Sequence, residues 1–166
     1  EPAEEAYAAY EARHARSVMG MLDGGASTMI CGFNTLERYV LRHLEHGVEM
    51  RDLELYHCEK PLRFGNDQSL TSTTVASVPM CCGNRHGTVF VYLIPGDTPF
   101  LVARPVMEEL GLSIDFGSQK IKRPGMDWQS ARRGPSGNYE IDLSIPRAAQ
   151  WNDFELWPGD PTVSDE

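Results

Sequence analysis

Asp23 follows the run Ser-Val-Met-Gly-Met-Leu and precedes Gly24, Gly25, Ala26 and Ser27. An acid at the mouth of an apolar strand, trailed by glycines and small residues, admits two readings. In one, Asp23 caps a turn whose glycines supply positive φ. In the other, it is a reactive carboxylate that backbone can approach closely, suited to proton transfer. Two other acids stand in loosely similar settings: Asp97 in Gly-Asp-Thr-Pro and Asp115 in Ile-Asp-Phe-Gly. Pro99 and the bulky Phe116 occupy positions where the Asp23 segment has small residues. The Asp-Phe-Gly triplet has neither a glycine-rich nucleotide loop nor a His-Arg-Asp segment for company, so it is expected to be a strand end. A metal is the remaining option. His57, Cys58, Cys81 and His86 could form a zinc site, but the cysteines lack paired Cys-x-x-Cys spacing, and buried reduced thiols are the expectation.

The elements that must position Asp23 can be read from the pattern around it. Ser17 to Leu22 forms a strand ending at Asp23. The segment Asn34 to Gly47 is a helix, with Asn34 and Glu37 as a capping box, Gly47 as the stop, and Leu36, Val40, Leu41 and Leu44 as its apolar stripe. The middle of the chain is all β. Asp52–Glu59 and Lys60–Phe64 are strands, Gly65–Ser69 is a turn, and Thr73–Cys82 alternates toward a second turn at Gly83–Gly87. Thr88–Ile94 is apolar on both faces, as a central buried strand should be. Phe100–Gly111 is a strand leading into a short helix, with Pro105 in its first turn and Gly111 at its end. Leu112–Ile121 forms a hairpin. Residues 1–16, rich in Ala, Glu and Arg, are expected to form a leading helix outside the core. Residues 123–166 are an extension with one strand, Asn138–Ile145, and an acidic tail carrying Trp151, Phe154 and Trp157.

Composition narrows the function classes. The chain has 166 residues, with 15 basic and 24 acidic side chains and a net charge of −9. One domain with tails fits that length. Nucleic acid is disfavoured as a partner because phosphate neutralisation needs clustered Lys and Arg; only Lys120–Arg133 is locally basic, and a solvated loop accounts for it. The longest apolar run, Val89–Ile94, is far short of the roughly 20 residues of a membrane-spanning helix. Beginning at Glu1 rather than Met, the chain reads as processed or trimmed; its localisation stays open, with reduced thiols favouring an intracellular setting.

Taken together, Met21-Leu22-Asp23-Gly24-Gly25-Ala26-Ser27 and the later Phe100-Leu-Val-Ala103-Arg104 with its short helix resemble the retropepsin-like aspartic proteases of retroviruses and retrotransposons. The family's signatures are an apolar pair followed by Asp-Thr/Ser-Gly-Ala-Ser/Thr, and an apolar pair followed by Gly-Arg. The resemblance spans about residues 17–122. It implies a mainly β chain, a small closed β-barrel with one or two short helices, flanked by an N-terminal helical extension at 1–16 and a C-terminal one at 123–166. It also implies Asp23 as the acid/base, Gly24, Gly25, Ala26 and Ser27 as the active loop, and Arg104 as its support. A hairpin carrying Gly65, Asn66, Thr71, Ser72, Thr73 and Thr74 would cover the substrate.

Peptide hydrolysis by carboxylates needs two of them around one water, and two such groups about 3 Å apart share a proton. This chain supplies one. The resemblance therefore implies a homodimer with Asp23 from each subunit at the two-fold axis, acting on a polypeptide without metal or organic cofactor. Three departures bear on it. Gly24 lacks the hydroxyl that would bond across the dimer, Ala103 stands for Gly, and the hairpin has no glycine near Thr71–Thr74. An inactive domain, held by protein partners through residues 1–16 and 123–166, is the alternative.

Overall fold

The computed structural model describes residues 18–64 and 67–159. The leading-helix expectation for residues 1–16 lies outside them. Most of the described chain is one mixed sheet in the order β10-β11-β1-β6-β2-β5-β4-β3, built from β1 (Met19–Asp23), β2 (Ile30–Gly32), β3 (Glu54–Arg63), β4 (Ser69–Cys82), β5 (Arg85–Ile94), β6 (Phe100–Ala103), β10 (Arg132–Arg133) and β11 (Tyr139–Asp142). A short strand β12 (Glu155–Leu156) runs parallel to β5 at Gly87 and Thr88. Strands β7 (Ser113–Asp115), β8 (Lys120–Lys122) and β9 (Gln129–Ser130) make a small second sheet.

The mainly β class holds, but the expected closed barrel does not form. Among the described residues β3 and β10 are the two ends of an open sheet and do not pair. Leu36 and Tyr39 of helix α1 (Phe33–Glu45), and Leu143 after β11, pack into the main core with the sheet. Tyr39 of α1 is fully buried, sits edge-on to Phe100 at 5.1 Å, and has its hydroxyl 2.7 Å from Pro79 O and 3.1 Å from Leu143 O. Burial pushes its phenol well above the usual range. Phe100 and Val102 of β6, Val89 and Val91 of β5, and Val78 and Met80 of β4 fill the core beneath.

Several local expectations were displaced by tertiary packing. The N-cap of α1 is Gly32, with no side-chain cap. Asn34 is instead inside the helix and donates through Nδ2 to Asp97 at 3.2 Å, while Arg38 pairs with the same carboxylate at 3.0 Å. Asp97 is therefore a brace between α1 and the β5–β6 turn. The buried face of α1 is Thr35, Leu36, Tyr39 and His43, so Leu41 and Leu44 of the expected stripe are exposed. Gly47 does end the helix region, with φ 79°. Segments 52–59 and 60–64 form one strand, β3, with a register shift between His57 and Lys60. The second helix, α2 (Arg104–Leu110), has Pro105 in its first turn and Gly111 in the left-handed region at φ 62°.

His43 ties α1 to the segment after β11. Its Nδ1 lies 2.7 Å from Tyr39 O and its Nε2 accepts the Ile145 N–H at 2.8 Å, which fixes a neutral ring with the proton on Nδ1. Burial lowers its pKa, helped by the His46 and Arg42 charges and opposed by the bond to Tyr39 O and by Asp142. A depressed histidine pKa contributes stability that is present above the unfolded value of about 6.5 and is lost as pH falls below it. The melting temperature is thus expected to drop between pH 7 and pH 5, and His43→Gln to flatten that drop. An unchanged slope in the variant would place the acid sensitivity elsewhere.

Candidate active site

Asp23 is the last residue of β1 and pairs in register with Ala103, the last residue of β6. β1 reaches that position through a tight core contact. A Cβ on Gly20 would lie 2.6 Å from Leu143 Cδ1 and 2.7 Å from Val102 Cγ2, so glycine lets the strand sit flat on its neighbours. Beyond Asp23 the chain turns sharply, with the Ala26 N–H on Asp23 O at 3.0 Å and the Gly25 N–H on Asp23 Oδ1 at 3.1 Å. Met29 then gives its carbonyl to the Tyr92 N–H at 2.9 Å, and β2 runs parallel to β5 and antiparallel to β6.

β6 consequently lies between β1 and β2, the two arms of the Asp23 loop. Two further bonds join the segments. Arg104 donates its backbone N–H to Ala26 O at 3.0 Å, and the Ala103 N–H points at Met29 Sδ at 3.3 Å. Ala103 is almost fully buried, and its methyl is accommodated in the core. Asp23 is half-buried, whereas Gly24, Gly25, Ser27 and Arg104 are exposed and Ala26 is partly covered. The loop thus presents its backbone and one carboxylate outward from a rigid sheet. A Cβ on Gly25 would meet Asp23 Oδ1 at an ordinary 3.6 Å, and one on Gly24 would meet nothing within 4 Å.

An open cavity of about 640 Å³ adjoins the loop, lined by Leu22 and Gly24, though not by Asp23 between them, and by Met107, Ile114, Phe116 and Tyr139 among others. The β10–β11 turn forms one wall, and Asn138 Nδ2 donates to Leu22 O at 3.2 Å. The sequence reading has Arg133 in a basic solvated loop and Asn138 and Tyr139 in a strand, none of them at the site; Arg133 instead lies in β10. Their place beside Asp23 comes from the antiparallel pairing of β11 with β1, which joins Met21 to Glu140 across a long stretch of chain.

The expected covering hairpin is divided differently from its sequence reading. Gly65 and Asn66 lie outside the described residues. The Phe64 N–H donates to Gln68 O at 3.0 Å, and Asp67 has φ 63°. Thr71, Ser72, Thr73 and Thr74 belong to the arm β4, where Thr71 pairs with Pro61 and Thr74 with His57. Ser72 is buried, with its Oγ 2.7 Å from Leu93 O, so it ties β4 to β5. No residue of this hairpin lines the cavity beside Asp23 among the described residues.

The competing sites look different. Asp115 ends β7, and its Oδ1 accepts the Gly117 and Ser118 N–H groups at 3.0 and 3.3 Å. The Ser118 side chain first, and then these backbone groups, hold its carboxyl below the usual range. The zinc option finds no support in geometry. His57 is exposed on β3 and Cys58 buried, and among the described residues no group of three or more His, Cys, Asp or Glu side chains is arranged to hold a metal. Cys31, Cys58, Cys81 and Cys82 are all free and buried, and burial pushes Cys81 up to about 12 and Cys82 up to about 11, so these remain inert thiols. No described helix is long and apolar enough to cross a membrane.

Comparison with protein-family models, with curated proteins and with solved structures finds no match to this chain.

Proposed function

We propose that this chain is a retropepsin-type aspartic endopeptidase that works as a homodimer. The observation that carries the proposal is the insertion of β6 between the two arms of the Asp23 loop, with the Arg104 N–H on Ala26 O. Two motifs remote in sequence thereby support one outward-facing carboxylate. In the dimer, Asp23 of each copy would flank one water. One carboxylate takes the water's proton while the other, protonated, polarises the scissile carbonyl. The chemistry is complete with two carboxylates and water, so the proposal calls for no cofactor. The extended substrate would pair its backbone with strand edges near the loop.

Gly24 favours the second reading, an inactive domain that binds protein partners, because a glycine offers no hydroxyl to bond across the two-fold axis. The same residue provides the test. Space is open where a Cβ would stand, so Gly24→Thr should fit without strain. Two restored hydrogen bonds, at roughly 0.5–1.5 kcal/mol each, predict a dimer dissociation constant lower by about five-fold to about 150-fold. Sedimentation equilibrium of the wild type and the variant at tens of micromolar reads this directly. A wild-type chain that stays monomeric, with a variant that does too, leaves Asp23 without its twin and rejects the protease reading.

A further inference from the structure

The cavity beside Asp23 carries a fixed charge that the proteolytic chemistry does not use. Among the described residues lining it, Arg133 is the only charged one, set against the apolar Leu22, Met107, Ile114 and Phe116. Its position is held from several sides. The guanidinium carbon lies 4.8 Å from the centroid of the Tyr139 ring, Nη2 donates to Tyr139 Oη at 3.2 Å, and Nη1 reaches Gly137 O at 3.5 Å. Tyr139 is itself buried, so the platform beneath the charge is rigid. No described carboxylate forms an ion pair with Arg133. Opposite stands Phe116, 70% exposed and tilted against Tyr139 at 5.8 Å. With Met107 and Ile114 it gives the cavity an apolar side facing the charge.

Resting on the protease reading, we infer that this cavity selects peptides with an acidic side chain close to an apolar one. The carboxylate would pair with Arg133, and the apolar side chain would cover Phe116, Ile114 and Met107. A planar guanidinium with N–H groups to spare matches a carboxylate better than a neutral amide. Spacing sets where the acid must lie. Arg133 pairs with Tyr139, and Tyr139 stands one residue beyond the Glu140–Met21 pair, so Arg133 is two strands from β1 at the level of Leu22. At nearly 5 Å per strand this is about 10 Å from β1, whereas an extended peptide advances about 3.4 Å per residue. The acidic residue is therefore placed about three residues from the bond nearest Asp23. The chain's overall charge of −9 repels such peptides at long range, so selection operates at contact.

The test uses the full chain carrying Asp23→Asn, which cannot consume its ligand, and two fluorescein-labelled hexapeptide pools. The pools are identical except that one fixes Glu and the other Gln two residues from a Phe. Fluorescence anisotropy is expected to give roughly ten-fold tighter binding of the Glu pool. Arg133→Gln should erase that preference and Arg133→Lys should keep part of it, with melting curves confirming that each variant folds. A Glu preference that survives Arg133→Gln, an absent preference, or no binding of either pool overturns the inference. Its fate is separable from that of the protease reading. Hydrolysis by the wild type without Glu preference leaves the protease and removes the selectivity. An Arg133-dependent Glu preference without hydrolysis of either pool leaves the binding site and removes the protease.

Discussion

Asp23→Asn is expected to abolish peptide hydrolysis, lowering the rate by at least about a thousand-fold, with little change in thermal stability. General acid–base catalysis contributes on the order of 10²–10⁴ in rate, and in a homodimer one substitution removes both partners of the dyad. An amide has no proton-accepting oxygen of comparable basicity, so neither half of the reaction survives. The fold should tolerate the change. Asp23 is half-buried at a strand end, and the contact it makes through its side chain is the Gly25 N–H on Oδ1, which the amide oxygen of Asn can still accept. The decisive comparison is cleavage of a peptide mixture by wild type and variant under mildly acidic conditions, read by mass spectrometry beside melting curves. Residual cleavage by a purified, folded Asp23→Asn chain would remove Asp23 from the mechanism. Loss of both cleavage and fold would instead make Asp23 a structural cap.

What could be read beforehand was what local chemistry specifies. Pro105 and Gly111 bracket α2 because one sets φ and the other accepts the left-handed region, and neither depends on distant partners. β5 is apolar on both faces because each face packs into a cluster of its own, Val89, Val91 and Leu93 on one and Phe90, Tyr92 and Ile94 on the other. The buried face of α1 differs from the expected stripe because three of its residues, Thr35, Tyr39 and His43, are polar. They are satisfied by Thr98, Pro79, Leu143 and Ile145, whose proximity no sequence window contains. Leu41 and Leu44 carried the apolar signal and face out. The site shows the same division. Asp23 and its loop were legible as a motif, whereas Arg133, Tyr139 and Asn138 join it only through the β11–β1 ladder. Thr71, Ser72, Thr73 and Thr74 fall in the arm β4 and not over the site, because Thr and Ser suit a strand as well as a cover.

The largest stability effect is expected at the C-terminal end, where Trp157 decides between the two uses open to the aromatic tail. Trp157 is buried to 1% exposure, its backbone N–H bonds Thr88 O at 3.0 Å, and β12 just before it pairs with Gly87 and Thr88. Trp151 and Phe154 likewise stack on each other at 5.1 Å and pack against the cluster of Val48, Cys81 and Ile145. Trp157 is thus committed to the chain's own sheet, whereas Trp151 and Phe154 stay partly exposed. Gly87 is what makes the arrangement possible. A Cβ there would overlap the Trp157 indole, so Gly87→Ala must expel the ring. Trp157→Ala is expected to cost about 3–5 kcal/mol, as for other buried aromatics, which lowers the melting temperature by roughly 10 °C in a chain of this size. Gly87→Ala should cost a similar amount, because the ring leaves its site in either case. The two should not add: with Trp157 already gone, the methyl introduced by Gly87→Ala meets no ring, and the double variant should fall close to either single one. Urea denaturation of the four proteins supplies the cycle. Additive losses would show that Gly87 and Trp157 stabilise the sheet independently, and a Trp157→Ala chain as stable as the wild type would return the tail to the role of a partner anchor.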